Sequence, residues 1–194
     1  MKQDKWDLPT RFLHLGLATT VTLQLAISLL MEAPDEESAS ALARAAFEAH
    51  EVVGITALLI VLAHWLWTLR SRAENGLARL FPWRGAAWAE VTSDLRGLLH
   101  RQLPQGGRRG GLPGLIHGLG FLAVTGMVVT GGLLFILFPE SGEPDATVEF
   151  IAGIHEFIAT LVWIYWGSHI ALGISHSLAG HRTMQDMFTL KSNS

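Results

Sequence analysis

The stretch FIAGIHEFIATLVWIYWGSHIALGISHSL, Phe150 to Leu178, carries a single formal charge, Glu156. As a helix rising about 1.5 Å per residue, it is long enough to cross a hydrocarbon core of roughly 30 Å. His155 and His169 stand fourteen residues apart within it. At about 100° per residue they are offset by about 40° around the axis and by roughly 21 Å along it, so two imidazoles point the same way at two depths. Ionisable residues inside a span are costly and normally face a bundle interior or a site. A stacked pair is a stronger functional signal than one histidine.

Three more apolar runs accompany this one. Residues 12–31 contain no charge, with Trp6 ahead of them as an interface anchor and His14 near their start. Residues 50–69 begin at His50 and hold His64 near their end, and residues 115–138 carry His117 near their start. The segment 39–50 reads as a short surface helix feeding the second run. Trp88, Val91, Leu95, Leu98 and Leu99 recur at three- and four-residue spacing, which predicts an amphipathic interfacial helix over 86–102, closed by the glycine-rich QGGRRGGLPG turn. Long polar connections dilute the apolar runs to a mean hydropathy of +0.33. The longest, 70–114, lacks a core of its own, so residues 1–194 read as a single membrane domain. The N-terminus shows neither the short apolar region nor the cleavage site of a secretory signal, and the first apolar run is expected to persist in the mature protein.

Charge orients these spans. Of fourteen Lys and Arg, only Arg44 falls in the connections 32–51 and 139–149; the others lie in the N-terminal segment, the 70–114 connection and the tail. Positive charge favours the cytoplasmic side, so both termini and the basic connection are expected there. The fold class expected is all-α: an integral membrane four-helix bundle, an architecture that can host cofactors between facing helices.

The chain has no cysteine, which excludes CxxCH-attached haem, thiolate-held iron–sulfur clusters, zinc–thiolate sites and disulfides. Nine histidines leave imidazole as the leading metal ligand. Near the outer face only His50 and His155 are available, so an outer haem held by two histidines must use that pair. Toward the inner face stand His14, His64, His117, His169 and His176. His169 is favoured because it shares a face with His155. Its partner is open between His64, fourteen residues after His50, and His14. Helix-to-helix hydrogen bonding accounts for His64 and His117, while His100 and His181 read as solvated. His176 fits a propionate or quinone pocket and an ordinary interface position equally well. Gly54, Gly126 and Gly131 suit either close helix packing or close approach of a macrocycle.

WDLPTRFLHLGLA at 6–18, HEVVG at 50–54 and HEFIATLVWIYWGSHIALGISHS at 155–177 together resemble the bacterial di-haem cytochrome b561 family and the related cytochrome b subunits of nickel–iron hydrogenase and formate dehydrogenase. The resemblance covers all four spans. It implies two b haems, the outer on His50 and His155 and the inner on His14 and His169. Two departures stand out: Leu15, not tryptophan, follows His14, and GGRRGGLPG replaces the GHNPxG-like turn ahead of the third span.

Such a haem pair implies electron transfer across the membrane, with a quinone as the membrane-soluble partner. Arg11 is a candidate to neutralise the inner haem propionates, since a guanidinium suits paired carboxylates. Glu51 and Glu156 follow the outer ligands and suit either proton relay or simple solvation near a helix start. Three readings follow. One is a cytochrome linking the quinone pool to a periplasmic redox protein or dehydrogenase subunit. Another is an oxidoreductase that oxidises superoxide and reduces quinone, which the acidic outer connections disfavour. The last is a haem-free, histidine-lined metal transporter. Anionic lipid is the simplest contact for the basic connection, and nucleic acid is not an expected partner.

Overall fold

The computed structural model describes residues 6–32, 40–70, 76–100, 102–104, 110–139, 144–180 and 183–189. These form seven helices and, among the described residues, no strand: α1 (Leu8–Ser28), α2 (Ala41–Arg70), α3 (Gly76–Leu80), α4 (Gly85–Leu99), α5 (Gly111–Leu137), α6 (Ala146–Leu178) and α7 (Thr183–Phe188). The glycine-rich segment 105–109, most of the acidic segment 33–39, Arg72, Arg101 and His181 lie outside the described residues.

Helix starts follow capping side chains more closely than the edges of the apolar runs. Asp7 Oδ1 accepts from the Thr10 amide at 2.8 Å at the head of α1. Ser40 Oγ accepts from the Ala43 amide at 3.1 Å at the head of α2. Asp145 Oδ1 accepts from Thr147 and Val148 at 2.8 and 2.9 Å, starting α6 four residues ahead of the expected boundary. A side-chain oxygen satisfies amides that the first turn of a helix leaves open. For α5 the oxygen comes from another helix: Asp94 Oδ2 of α4 accepts from the Leu112 amide at 3.0 Å. At the far end of α6, Gly180 takes a φ of +83°, the left-handed conformation that ends many helices.

The expected short helix ahead of the second span is instead part of it. Once Ser40 has started α2, the alanine-rich segment to Ala49 offers no breaker, and the helix runs unbroken to Arg70. The amphipathic helix forms as α4 over Gly85–Leu99, close to the expected 86–102.

Three helices are long and apolar enough to cross a membrane: α2, α5 and α6. Helix α1 is not among them, because Arg11, His14, Gln24 and four threonines dilute its apolar residues. Large apolar side chains on these helices face outward, including Ile136 at 76%, Leu66 and Phe150 at 69% and Ile164 at 64% exposure. Outward apolar faces on helices of this length suit a hydrocarbon solvent. Hydroxyls within the helices satisfy themselves locally, as Thr20 donates to Gly16 O at 2.9 Å and Ser175 to Ala171 O at 2.8 Å.

The chain divides into two compact units. The first comprises His14–Ala63 and Ala123–Ile164, with Leu25, Ala57, Val61, Val128 and Val162 buried in it. The second comprises Met1–Leu13, His64–Leu122 and Tyr165–Ser194. There Val91 and Pro82 are buried, and Trp65, Phe81, Trp83 and Phe121 form a run of ring contacts with centroids 4.8–6.4 Å apart. The Arg79 guanidinium lies over the Trp6 ring at 4.5 Å, engaging the expected interface tryptophan from its own unit.

Candidate functional site

In the first unit, α2 carries His50 and α6 carries His155, with ring centroids 6.4 Å apart and planes at 77°. An imidazole nitrogen binds a metal ion at about 2.0–2.1 Å and its ring centroid lies roughly 1.1 Å beyond, so two imidazoles on opposite sides of one ion have centroids about 6.3 Å apart. The His50–His155 gap fits that arrangement. His155 is also held from behind: Thr130 Oγ1 of α5 lies 2.7 Å from its Nδ1. Gly131 makes room for the ring, since a Cβ there would sit 3.1 Å from His155 Cε1.

On the His50 side, Gln24 of α1 donates from Nε2 to the His50 backbone carbonyl at 3.0 Å. Its Oε1 and His50 Nδ1 are both buried without a hydrogen-bond partner among the described residues. Glu51 is half-buried and Glu156 exposed, each next in sequence to one of these histidines.

In the second unit, His169 lies between two rings of its own unit. His117 approaches at 5.0 Å with planes at 89°, and Tyr165 stacks at 5.4 Å and 26°. His117 donates from Nδ1 to Pro113 O at 2.6 Å. His64 has Nδ1 within 3.2 Å of Thr68 Oγ1 and its ring 4.6 Å from Phe121. Both of these bonds stay within the histidine's own helix, unlike the helix-to-helix bonds expected of His64 and His117, and His117 is also the imidazole neighbour of His169. Arg11 is only 7% exposed; it donates to the backbone carbonyl of Thr189, and its Nε is buried without a partner among the described residues. A shallow pocket of about 230 Å³ on the α3–α4 connection is lined by Ala78, Phe81, Pro82, Trp83, Arg84 and Ala87, and no histidine lines it.

Of the two expected ligand pairs, the structure brings together His50 and His155. His14 belongs to the first unit and His169 to the second. Sequence reading missed Thr130, Gln24 and the His117–His169 contact. Gln24 left a signal, as a lone amide in a charge-free run. Thr130 left none, because its link to His155 joins α5 to α6 and follows no period within either helix.

Two imidazoles 6.4 Å apart, on helices long and apolar enough to cross a membrane, suit a bis-histidine cofactor, and the cysteine-free chain offers no thiolate alternative. No curated protein and no solved structure matches this chain. The family model of prokaryotic cytochrome b561 matches residues 5–190, nearly the whole length, and the chain therefore belongs to the prokaryotic cytochrome b561 family.

Proposed function

We propose that this cytochrome carries two b haems and passes electrons between the membrane quinone pool and a redox partner on the periplasmic side. Membership of the family makes it a membrane-embedded, haem b-binding cytochrome of electron transfer. The proposal adds the number of haems, their ligands, their sides and the partners.

His50 and His155 would hold the outer haem, and the observation that carries this is their 6.4 Å centroid separation. His14 and His169 would hold the inner haem, by resemblance to the family and by the shared face of His155 and His169 on α6. Arg11 suits the propionates of the inner haem: it is buried, a carbonyl occupies one amino group, and its orphan Nε still seeks an acceptor. When bound between two imidazoles, haem iron has no open position and supplies one-electron storage and transfer.

The residues themselves orient and insulate. A ligating histidine would present one nitrogen to the metal, and a hydrogen bond to the other, as Thr130 offers His155, would set ring orientation and ligand basicity. Apolar neighbours such as Val128 and Val162 are buried in the unit that holds the outer pair, and a dry surround tunes potential through low dielectric. The charge pattern supports cytoplasmic termini in a bacterial inner membrane, with α1 as a fourth, more polar span.

A reduced-minus-oxidised spectrum with haem quantitation tests this reading. Wild type is expected to hold about two b haems per chain, and His50→Ala, His155→Ala, His14→Ala and His169→Ala about one each. A folded wild-type chain without haem would overturn it.

A further inference from the structure

We infer that Thr130 and Gln24 are positioning residues for the outer imidazole pair, each accepting the Nδ1 proton of one ring so that its Nε2 is left for iron. The inference rests on the reading that His50 and His155 share one haem.

For His155 the partner is Thr130. A threonine hydroxyl has one proton and two lone pairs. Thr130 Oγ1 lies 2.8 Å from Gly126 O and 3.2 Å from Met127 O, and both carbonyls can only accept. With the hydroxyl proton on a carbonyl of its own helix, the oxygen accepts at 2.7 Å from His155 Nδ1, which then carries the ring proton. A neutral imidazole protonated at Nδ1 has its lone pair at Nε2, the form a metal takes.

For His50 the neighbouring amide is that of Gln24, and the two side chains make no bond to each other. Gln24 Nε2 is fixed on the His50 carbonyl at 3.0 Å, which holds the amide against the turn that carries the ring. Its Oε1, an acceptor, and His50 Nδ1, a donor in the tautomer that ligates through Nε2, are both buried and unpartnered among the described residues. Buried polar groups are rarely left unpaired, and two complementary orphans on groups already joined by one bond call for a second. Rotation of the His50 side chain to face iron supplies it. Gly54 admits the amide, since a Cβ at that position would lie 2.9 Å from Gln24 Nε2.

Both bonds make the ligands more basic and favour the oxidised haem, so losing either raises the midpoint of the outer haem alone. Redox titration of the holoprotein reads this directly. Thr130→Val and Gln24→Leu are each expected to shift one and the same haem by about tenfold in its reduction equilibrium, about 59 mV upward for one electron, with Thr130→Ser at the wild-type value. If Thr130→Val does not fold, Thr130→Ala serves in its place. Unchanged midpoints in variants that keep both haems, or shifts of two different haems, would overturn the inference while leaving the ligand assignment standing. Nitrogen NMR of histidine-labelled full chain without haem gives an independent reading. His155 protonated at Nδ1 in wild type and Thr130→Ser, and mixed in Thr130→Val, supports the Thr130 arm, whereas the Nε2-protonated form in wild type overturns it. Absence of haem from wild type would instead count against the ligand assignment.

Discussion

The two units place imidazoles close together in different ways. In the first, His50 and His155 stand 6.4 Å apart with Thr130 behind one ring, leaving a gap wide enough for an ion between them. In the second, His169 meets His117 with ring centroids 5.0 Å apart and planes at 89°, an edge-to-face contact. On the proposed reading the first pair would take a metal between its rings, whereas the second is in direct ring contact. Proximity of two histidines is thus a poor indicator of ligation, and the separation together with the state of each ring's second nitrogen is a better one.

That difference can be broken by substitution, and the largest effect should come from the gap itself. His155→Ala is expected to remove one haem completely, whereas His117→Ala, which deletes only the contact partner of His169, should keep both; a haem count that falls in His117→Ala would erase the distinction. Gly131→Ala comes next. Its new methyl would meet the His155 ring at 3.1 Å, and haem affinity at the outer site should fall by about 10- to 100-fold, read by haem retention on dilution.

A smaller effect concerns the second unit. Arg11→Gln removes a buried positive charge and should lower the midpoint of the inner haem by about 60 mV, one decade, leaving the outer haem in place; a shift of the outer haem instead would mean that Arg11 serves the other site. The smallest is structural. Val91→Ala on α4 empties a fully buried position and should cost about 2 kcal/mol in denaturant unfolding of the chain without loss of either haem.

Much of this was legible in the sequence, for reasons that also mark where legibility ends. Long apolar runs with at most one charge announce helices whatever their neighbours, so α2, α5 and α6 stand out. The first run reads as a span in the sequence, but Gln24 and the threonines of α1 make it the most polar of the long helices, and at least Gln24 has a partner to meet. Boundaries moved because oxygen atoms, not hydropathy, start helices: Asp145 and Ser40 were visible in the sequence, while Asp94 reaches Leu112 from another element. The same limit applies at the site. His50 and His155 were paired by depth alone, since no other histidine shares their level. Thr130 could not be paired that way, because nothing in one helix tells which hydroxyl the next helix will set beside its histidine.

Haem stoichiometry of the His50→Ala/His155→Ala double variant, set beside the two single variants, tests the central claim most directly. If the two histidines hold one iron between them, all three proteins retain the same single haem with the same spectrum and midpoint, because the second substitution has nothing left to remove. A double variant with no haem, each single variant having lost a different one, would show that His50 and His155 serve separate sites and would contradict the account.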